Sequence, residues 1–229
     1  GASTMILARM FPQASIVGVE LEDRLLSIAR LRAKHYGCQN VELLVSPDPE
    51  SLPRGLGQFD AVVLSAVYEH LLPAERRTVL SQIWDALKPG GVLFLNQTPW
   101  RYFPVETHTT GLPLINYLPD KLAFAYARRA VPAKVRQSNW GGLLRRGIRG
   151  GSVREILSIL DRGGETRPVL LHPNRLGVKD RVDLWYAQSE KTRHSMAKKL
   201  FLAAIRTLKF LTGTTLVPYL SLAIEKQKR

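Results

Sequence analysis

The sequence predicts an α/β fold built on a parallel sheet with helices covering both faces. Three observations carry that prediction. Ser15–Glu20 (SIVGVE), Val41–Val45, Asp60–Ser65 (DAVVLS) and Val92–Asn96 (VLFLN) are short, nearly continuous apolar runs rich in β-branched residues, as strands buried on both faces require. Segments with helical apolar spacing alternate with these runs over the first hundred residues. The joints between them are short, so consecutive elements must lie side by side.

In chain order, Ser3 to Phe11 is predicted helical, with Ser3 or Thr4 as its cap. Asp23 to Tyr36 follows, with Leu25, Ile28, Ala29 and Leu31 in its apolar stripe. Pro73 to Leu87 sets Val79, Leu80, Ile83 and Leu87 at helical spacing, and Lys88-Pro89-Gly90-Gly91 stops that helix. After Gln97 the pattern changes. Residues 97–119 are rich in Pro, Thr, Gly and aromatics and predict an ordered loop. A helix over Lys121–Arg129 leads into a basic, glycine-rich stretch that ends at Gly151. Ser152 to Leu160 is a helix with Ser152 as cap and Glu155 at capping-box spacing. Pro168–Leu171 predicts a strand. Lys191–Leu211 predicts a long amphipathic helix, with Met196, Leu200, Ala203, Ala204, Ile205 and Leu208 on one side and Lys198, Lys199, Arg206 and Lys209 elsewhere. Thr215–Glu225 closes the sheet as a strand with Pro218 near its start, where an edge position tolerates proline.

The 229 residues suit one domain with an elaborated end. A single cysteine, Cys38, excludes a disulfide framework and fits a reducing compartment, and no secretory leader is visible, so a cytoplasmic location is expected. The most apolar stretch, Leu208 to Ile224, is interrupted by Lys209, Gly213 and Pro218 and does not read as a membrane span. The net charge of +14 is uneven. Residues 1–100 hold 9 Lys/Arg against 10 Asp/Glu, whereas residues 101–229 hold 24 against 9. The second half therefore presents a positive surface to an anionic lipid, a nucleic acid or an acidic substrate, or simply a solvated face. Few aromatics interleave the charges of the helix from Lys191, which disfavours nucleic acid and favours peripheral contact with an anionic membrane.

Glu20 ends the first strand pattern about twenty residues after Gly1. In dinucleotide-type units a glycine turn opens a helix, and an acid about 20 residues on accepts from the ribose hydroxyls. Gly1 stands where the last glycine of such a turn belongs; the strand and glycines expected before it are absent. The expectation is a unit truncated at its start, which as a whole product would bind its ligand poorly.

Several motifs in order then resemble one family. Gly1-Ala2-Ser3, Val17-Gly18-Val19-Glu20, the Asp48–Pro53 stretch, Phe59-Asp60, Tyr68-Glu69-His70-Leu71 and Leu87-Lys88-Pro89-Gly90-Gly91 are similar to the class I S-adenosylmethionine-dependent methyltransferases, in the small-molecule and lipid-type bacterial branch. The resemblance covers residues 1–100 and implies a Rossmann-like sheet of strand order 3-2-1-4-5-7-6, with strand 1 missing here. It implies a cofactor-binding half over 1–100. Residues 101–229 then supply a substrate lid, a basic helical insertion and the closing strands of the same domain. It implies S-adenosylmethionine as cofactor and methyl transfer to a small-molecule or lipid-like acceptor, a non-catalytic remnant or binding module being the alternative.

By the same resemblance Gly1 lies under the cofactor's methionine part, Glu20 holds the ribose, Asp48 accepts from the adenine amino group, and Ser65 and Ala66 run along the methionine moiety. Pro49 departs from the pattern, because the family uses a backbone N–H after the adenine-binding acid and proline has none. Glu69 and His70 adjoin the expected transfer site, and histidine is suited to remove a proton near neutral pH, although the pair could equally anchor its loop. Thr98-Pro99 followed by Thr107-His108-Thr109-Thr110-Gly111-Leu112-Pro113 is similar to an active-site loop in one bacterial branch. Trp100, Tyr102, Phe103 and Tyr117 are expected to wall an apolar acceptor pocket, with Arg101 and His108 as polar anchors. Tyr117 and Lys121 match a dehydrogenase spacing by chance, since Pro119 separates them. No histidine or cysteine cluster has metal-ligand spacing, and no metal is expected.

Overall fold

The computed structural model describes residues 1–130, 137–173, 178, 180–188, 195–213 and 215–229. The chain divides into two compact units. One comprises Gly1–Gln58 and Pro73–Ala86, the other Phe59–Leu72 and Leu87–Arg229.

In the first unit, helix α1 (Ala2–Met10) and helix α2 (Asp23–His35) cover a parallel pair of strands, β1 (Ile16–Glu20) and β2 (Val41–Val45), in register Ile16 to Val41 through Glu20 to Val45. Neither Ser3 nor Thr4 caps α1; the cap is Gly1, without a side-chain bond. A Cβ at Gly1 would lie 2.4 Å from Ala29 Cβ, so the helix starts one residue early on a contact only glycine permits. In α2 the buried residues are Leu26 and Ala29, whereas Leu25, Ile28 and Leu31 are exposed. Two apolar stripes run along this helix about one residue out of phase, and the sheet and α1 take the one through Leu26. Helix α3 (Pro73–Ala86) buries Val79, Leu80, Ile83 and Trp84. Its Gln82 holds the 48–53 segment, accepting from Leu52 N at 2.9 Å and donating to Glu50 O at 2.7 Å.

The second unit is a four-stranded sheet of order β3-β4-β6-β5, from β3 (Phe59–Ser65), β4 (Leu87–Pro99), β5 (Thr166–Leu171) and β6 (Tyr219–Lys228). β3 and β4 are parallel; β6 enters antiparallel between β4 and β5. The two sheets thus carry the 3-2 and the 4-5-7-6 parts of the expected order. Lys88–Gly91 does not merely end a helix. α3 stops at Ala86, and the turn lies inside β4, with Gly90 at φ 83° and Gly91 so close to Lys88 O and Asp60 O that a Cβ would sit at 2.9 and 3.1 Å. The closing strand begins at Tyr219, after Pro218, whose carbonyl instead accepts from Trp100 N.

Helix α4 (Asp120–Ala130) and the short helix α5 (Trp140–Arg145) enclose a core of Ile115, Ala123, Ala127, Leu143 and Ile148. The sequence reading left α5 inside a basic stretch, of which residues 131–136 lie outside the described residues. Helix α6 (Val153–Leu160) is capped as expected, Ser152 Oγ accepting from Glu155 N at 3.2 Å. Helix α7 (Arg181–Gln188) was not anticipated. Asp180 Oδ1 caps it, accepting from Val182 N at 2.9 Å and Asp183 N at 3.0 Å.

Helix α8 spans Met196–Thr212; the expected first residues of this helix, 191–194, lie outside the described residues. Its apolar residues split. Ile205 is buried, and Phe201 stacks edge-on with Phe103 and Trp185, while Met196, Leu200, Phe210 and Leu211 stand 67–88 % exposed. A helix apolar over more than half its circumference packs one side and leaves the other uncovered. Three basic side chains point inward and donate to main-chain carbonyls: Arg149 to those of Ile115, Asn116 and Leu118, Lys198 to Tyr186, and Lys226 to Leu87. Among the described residues no helix is long and apolar enough to cross a membrane.

Candidate functional site

In the first unit, Glu20 stands at the carboxyl end of β1, half-buried, its Oε1 accepting from Leu21 N at 2.9 Å. Asp48 is exposed in the segment after β2. Its Oδ1 accepts from Glu50 N at 2.8 Å, so the first amide beyond Pro49 closes an Asx turn on Asp48 itself. Gly1 provides the tight approach of α1 to α2. A wide, shallow depression of about 400 Å³ lies at the opposite, amino-terminal ends of β1 and β2, among residues such as Pro12, Ser15 and Asn40; none of the expected ligand-binding residues lines it.

In the second unit a left-handed non-glycine residue, Ala66 (φ 52°), follows β3, and another, Gln97 (φ 61°), lies inside β4 near its end at Pro99. This conformation costs an L-residue roughly 1–2 kcal/mol. Ala66 N donates to Asn96 O at 2.9 Å, and the pairing of β4 with β6 slips between Leu95 and Thr98. Such a bulge redirects the strand end. It brings buried Thr98 towards Glu69, with Thr98 Oγ1 3.4 Å from Glu69 Oε2. Ser65 is half-buried and Ala66 exposed at this edge.

Glu69 and His70 lie in the 3-10 turn Tyr68–His70 that follows β3. Glu69 is fully buried, and its Oε1 has no hydrogen-bond partner among the described residues. Burial pushes its carboxyl pKa up, against the opposing pull of backbone hydrogen bonding, the neighbouring His70 and His108, and Thr98. His70 Nδ1 lies 2.7 Å from the Arg145 carbonyl, an acceptor only, so Nδ1 carries the proton and Nε2 keeps its lone pair. That Nε2 is 3.9 Å from Glu69 Oε1. The His108 ring completes the group, its centroid 5.5 Å from that of His70.

The glycine-rich stretch makes this convergence possible. A Cβ on Gly147 (φ 88°) would meet His108 Cδ2 at 2.7 Å and Glu69 Cγ at 3.2 Å; one on Gly151 would meet Tyr68 Cε1 at 2.5 Å. The 107–113 segment is shaped from within by Glu106, a residue the sequence reading passed over. Its buried carboxylate accepts from His108 N, Thr109 N, Thr110 N and Thr110 Oγ1. An acid one residue before Thr-His-Thr-Thr was the available signal.

The remaining expected residues are more dispersed. Trp100 is half-buried and edge-on to Tyr102. Arg101 is partly buried, and desolvation lowers its pKa. Tyr117 is half exposed and donates to the Tyr102 carbonyl, while Phe103 is buried against Phe201. The crevice beside Trp100, lined also by Val105, Asn116 and Arg149, is too narrow to admit a water molecule. Sequence spacing predicted no metal cluster. The fold brings Glu69, His70 and His108 together across 39 residues of chain, with one potential ligand atom from each within 4.8 Å of the others.

Residues 1–91 match the family model described as a methyltransferase domain. Over 99 residues the chain is 29 % identical to a carboxy-S-adenosyl-L-methionine synthase of Aliivibrio salmonicida, covering 42 % of this chain and 40 % of that protein. Over 108 residues it is 28 % identical to a demethylmenaquinone methyltransferase of Lactococcus lactis, covering 47 % and 42 %. The chain thus spans less than half the length of these relatives. The fold is similar to that of PKMT2 from Rickettsia typhi, with a TM-score of 0.56 at 14 % identity over 99 % of this chain and 46 % of that one.

Proposed function

With residues 1–91 belonging to the class I S-adenosylmethionine-dependent methyltransferases, we propose that the protein moves a methyl group from S-adenosylmethionine to a hydroxyl of a small, lipid-like acceptor. The observation that carries this reading is the methyltransferase-domain match over the segment that holds Glu20, Asp48, Ser65, Glu69 and His70. The resemblance assigns Glu20 to the ribose hydroxyls, Asp48 to the adenine amino group, and Gly1, Ser65 and Ala66 to the methionine part. Asp48 acts without help from residue 49, and Glu50 N is engaged by Asp48.

Bound there, S-adenosylmethionine would supply an electrophilic methyl carbon for in-line attack by the acceptor oxygen, with the neutral thioether as leaving group. The hydroxyl proton passes to His70 Nε2, which the Arg145 carbonyl leaves free for it. Glu69 faces the imidazolium so formed and favours it. Most of the rate comes from alignment and the exclusion of water. Trp100, Arg101, His108 and Tyr117 hold the acceptor.

Two observations favour a lipid-like acceptor delivered from a membrane surface. The outward side of α8 exposes Met196, Leu200, Phe210 and Leu211, with Lys199 exposed beside them, as a helix lying on an anionic bilayer requires. One of the relatives is named a demethylmenaquinone methyltransferase. Incubating the protein with methyl-tritiated cofactor and separate lipid and polar extracts tests the proposal. Label in the lipid fraction is expected; label in neither fraction, or only in the polar one, rejects it.

A further inference from the structure

We propose that Glu69, His70 and His108 bind a first-row divalent cation of the zinc type. This site shares residues with the one described above but does not depend on methyl transfer, since binding alone reveals it.

The argument starts from Glu69. A buried carboxylate has about four lone-pair directions to satisfy, and leaving them empty is costly. Glu106, buried in the same unit, accepts from four donors. Glu69, fully buried, has one long contact at 3.4 Å on Oε2 and, among the described residues, no hydrogen bond on Oε1. A buried acceptor without a donor calls for an explanation, and an ion is one. Besides Thr98 Oγ1, what faces it is two imidazoles, whose ring nitrogens can ligate a cation.

His70 is already set as a ligand. Its Nδ1–H is committed to the Arg145 carbonyl at 2.7 Å, so Nε2 offers a lone pair 3.9 Å from Glu69 Oε1. Metal-bound histidines almost always donate their second nitrogen in this way, which fixes tautomer and ring orientation. Arg145 Nη1 returns a contact to His70 O at 3.4 Å, clamping the turn. His108 is exposed, but its backbone is pinned by Glu106, so the ring can swing while its root stays in place.

Space is kept open as well. A side chain at Gly147 would occupy the position next to His108 Nε2, at 3.2 Å, and Glu69 Cγ, at 3.2 Å. The three ligand atoms lie within 4.8 Å of one another. An ion with bonds of about 2.1 Å holds tetrahedral ligands about 3.4 Å apart. Binding therefore draws the set in by roughly an ångström, a shift that rotation of His108 supplies.

Two imidazoles and one carboxylate suit zinc, iron(II), manganese or cobalt rather than magnesium or calcium, which prefer all-oxygen sites. Three protein ligands leave positions open for an acceptor oxygen. A hydroxyl bound there loses its proton more easily, so the ion would do by polarisation what His70 does as a base in its absence.

The test uses the full chain freed of metal with a chelator. Zinc titrated calorimetrically should bind at one ion per chain. Glu69→Gln and His108→Ala should each weaken it by roughly 100-fold or more, whereas His35→Ala, on α2, should leave it unchanged. Cobalt(II) should give visible d–d bands that both ligand variants lose. Circular dichroism checks that each variant is folded; His108, on an exposed loop, is the safer one, and Gly147→Ala, which fills the gap, is a third. Absence of saturable binding overturns the proposal, as does equal affinity in His108→Ala and the parent chain. Chelator-resistant methyl transfer without zinc binding would retain His70 as base and discard the ion. Zinc binding without any methyl transfer would do the reverse.

Discussion

His70 donates its Nδ1–H to the main-chain carbonyl of Arg145 across 2.7 Å, and this bond dictates what the other nitrogen of the ring can do. An asparagine at position 70 can keep the donation but has nothing equivalent to Nε2. His70→Asn should therefore lower methyl transfer by about 10²–10⁴-fold while leaving the melting temperature nearly unchanged. His70→Ala should lose both the activity and about 1 kcal/mol of stability. Initial rates and thermal melts on the two variants separate the roles; equal stability loss in both would show that the hydrogen bond contributes nothing.

Glu69 makes the second unit less stable than it could be. Because burial raises its pKa in the folded state, its favourable contribution is complete below the ordinary carboxylate range and is lost as pH rises through the raised value. Glu69→Gln is neutral at every pH and escapes that loss. In the presence of a chelator, urea melts should find the variant more stable than the parent by about 1 kcal/mol or more at neutral pH, with the gap closing as pH falls. A gap that widened on acidification would contradict the burial argument.

Ala66, just after β3, and Gln97, inside β4, are left-handed. Glycine tolerates that conformation without a Cβ clash, so Ala66→Gly should stabilise the fold by up to about 1 kcal/mol despite glycine's greater freedom when unfolded. Chemical denaturation measures this directly, and a destabilised variant would argue that the Ala66 methyl makes a contact worth more than the strain.

Asp180 joins α7 to α8. It caps the first helix and pairs with Lys209 of the second. Burial alone would raise its pKa, but Lys209 and the amides of Asp183 and Val182 outweigh that and hold it below the ordinary carboxylate value. Its contribution is present at neutral pH and disappears as pH falls through the lowered pKa. Asp180→Ala should cost about 1 kcal/mol at pH 7 through loss of the cap. The difference should vanish in strongly acidic solution, as melts across pH would reveal.

The uncovered side of α8 gives a last prediction. Phe210 is 88 % exposed and Leu200 67 %. Replacing both with glutamate should abolish co-sedimentation with vesicles containing anionic lipid, and leave zinc affinity intact. Unchanged sedimentation would remove the membrane from the proposal.

Strand positions were legible in the sequence because short apolar runs announce themselves over five residues, as Val41–Val45 does, whereas the sheet order came only from the family resemblance. Helix faces were harder. In α2 and α8 more residues are apolar than one packed side can accept, so periodicity alone cannot choose between Leu25 and Leu26. The site was half legible. Glu69-His70 is a local motif, but its partner His108 arrives through Glu106, Gly147 and a bulge at Gln97, none of which has meaning until the chain folds.

The interior lodging of Arg149, Lys198 and Lys226 also changes what the charge count means. These cations sit behind protein atoms, beyond the reach of mobile counterions; Lys198 and Lys226 donate to carbonyl dipoles that carry no net charge, and Arg149 also pairs with Asp120. An ion exchanger, a polyanion or an acylating reagent would therefore register a chain less basic than its composition states. Lys198 and Lys226 should be among the last lysines labelled, reporting on unfolding instead of on surface potential.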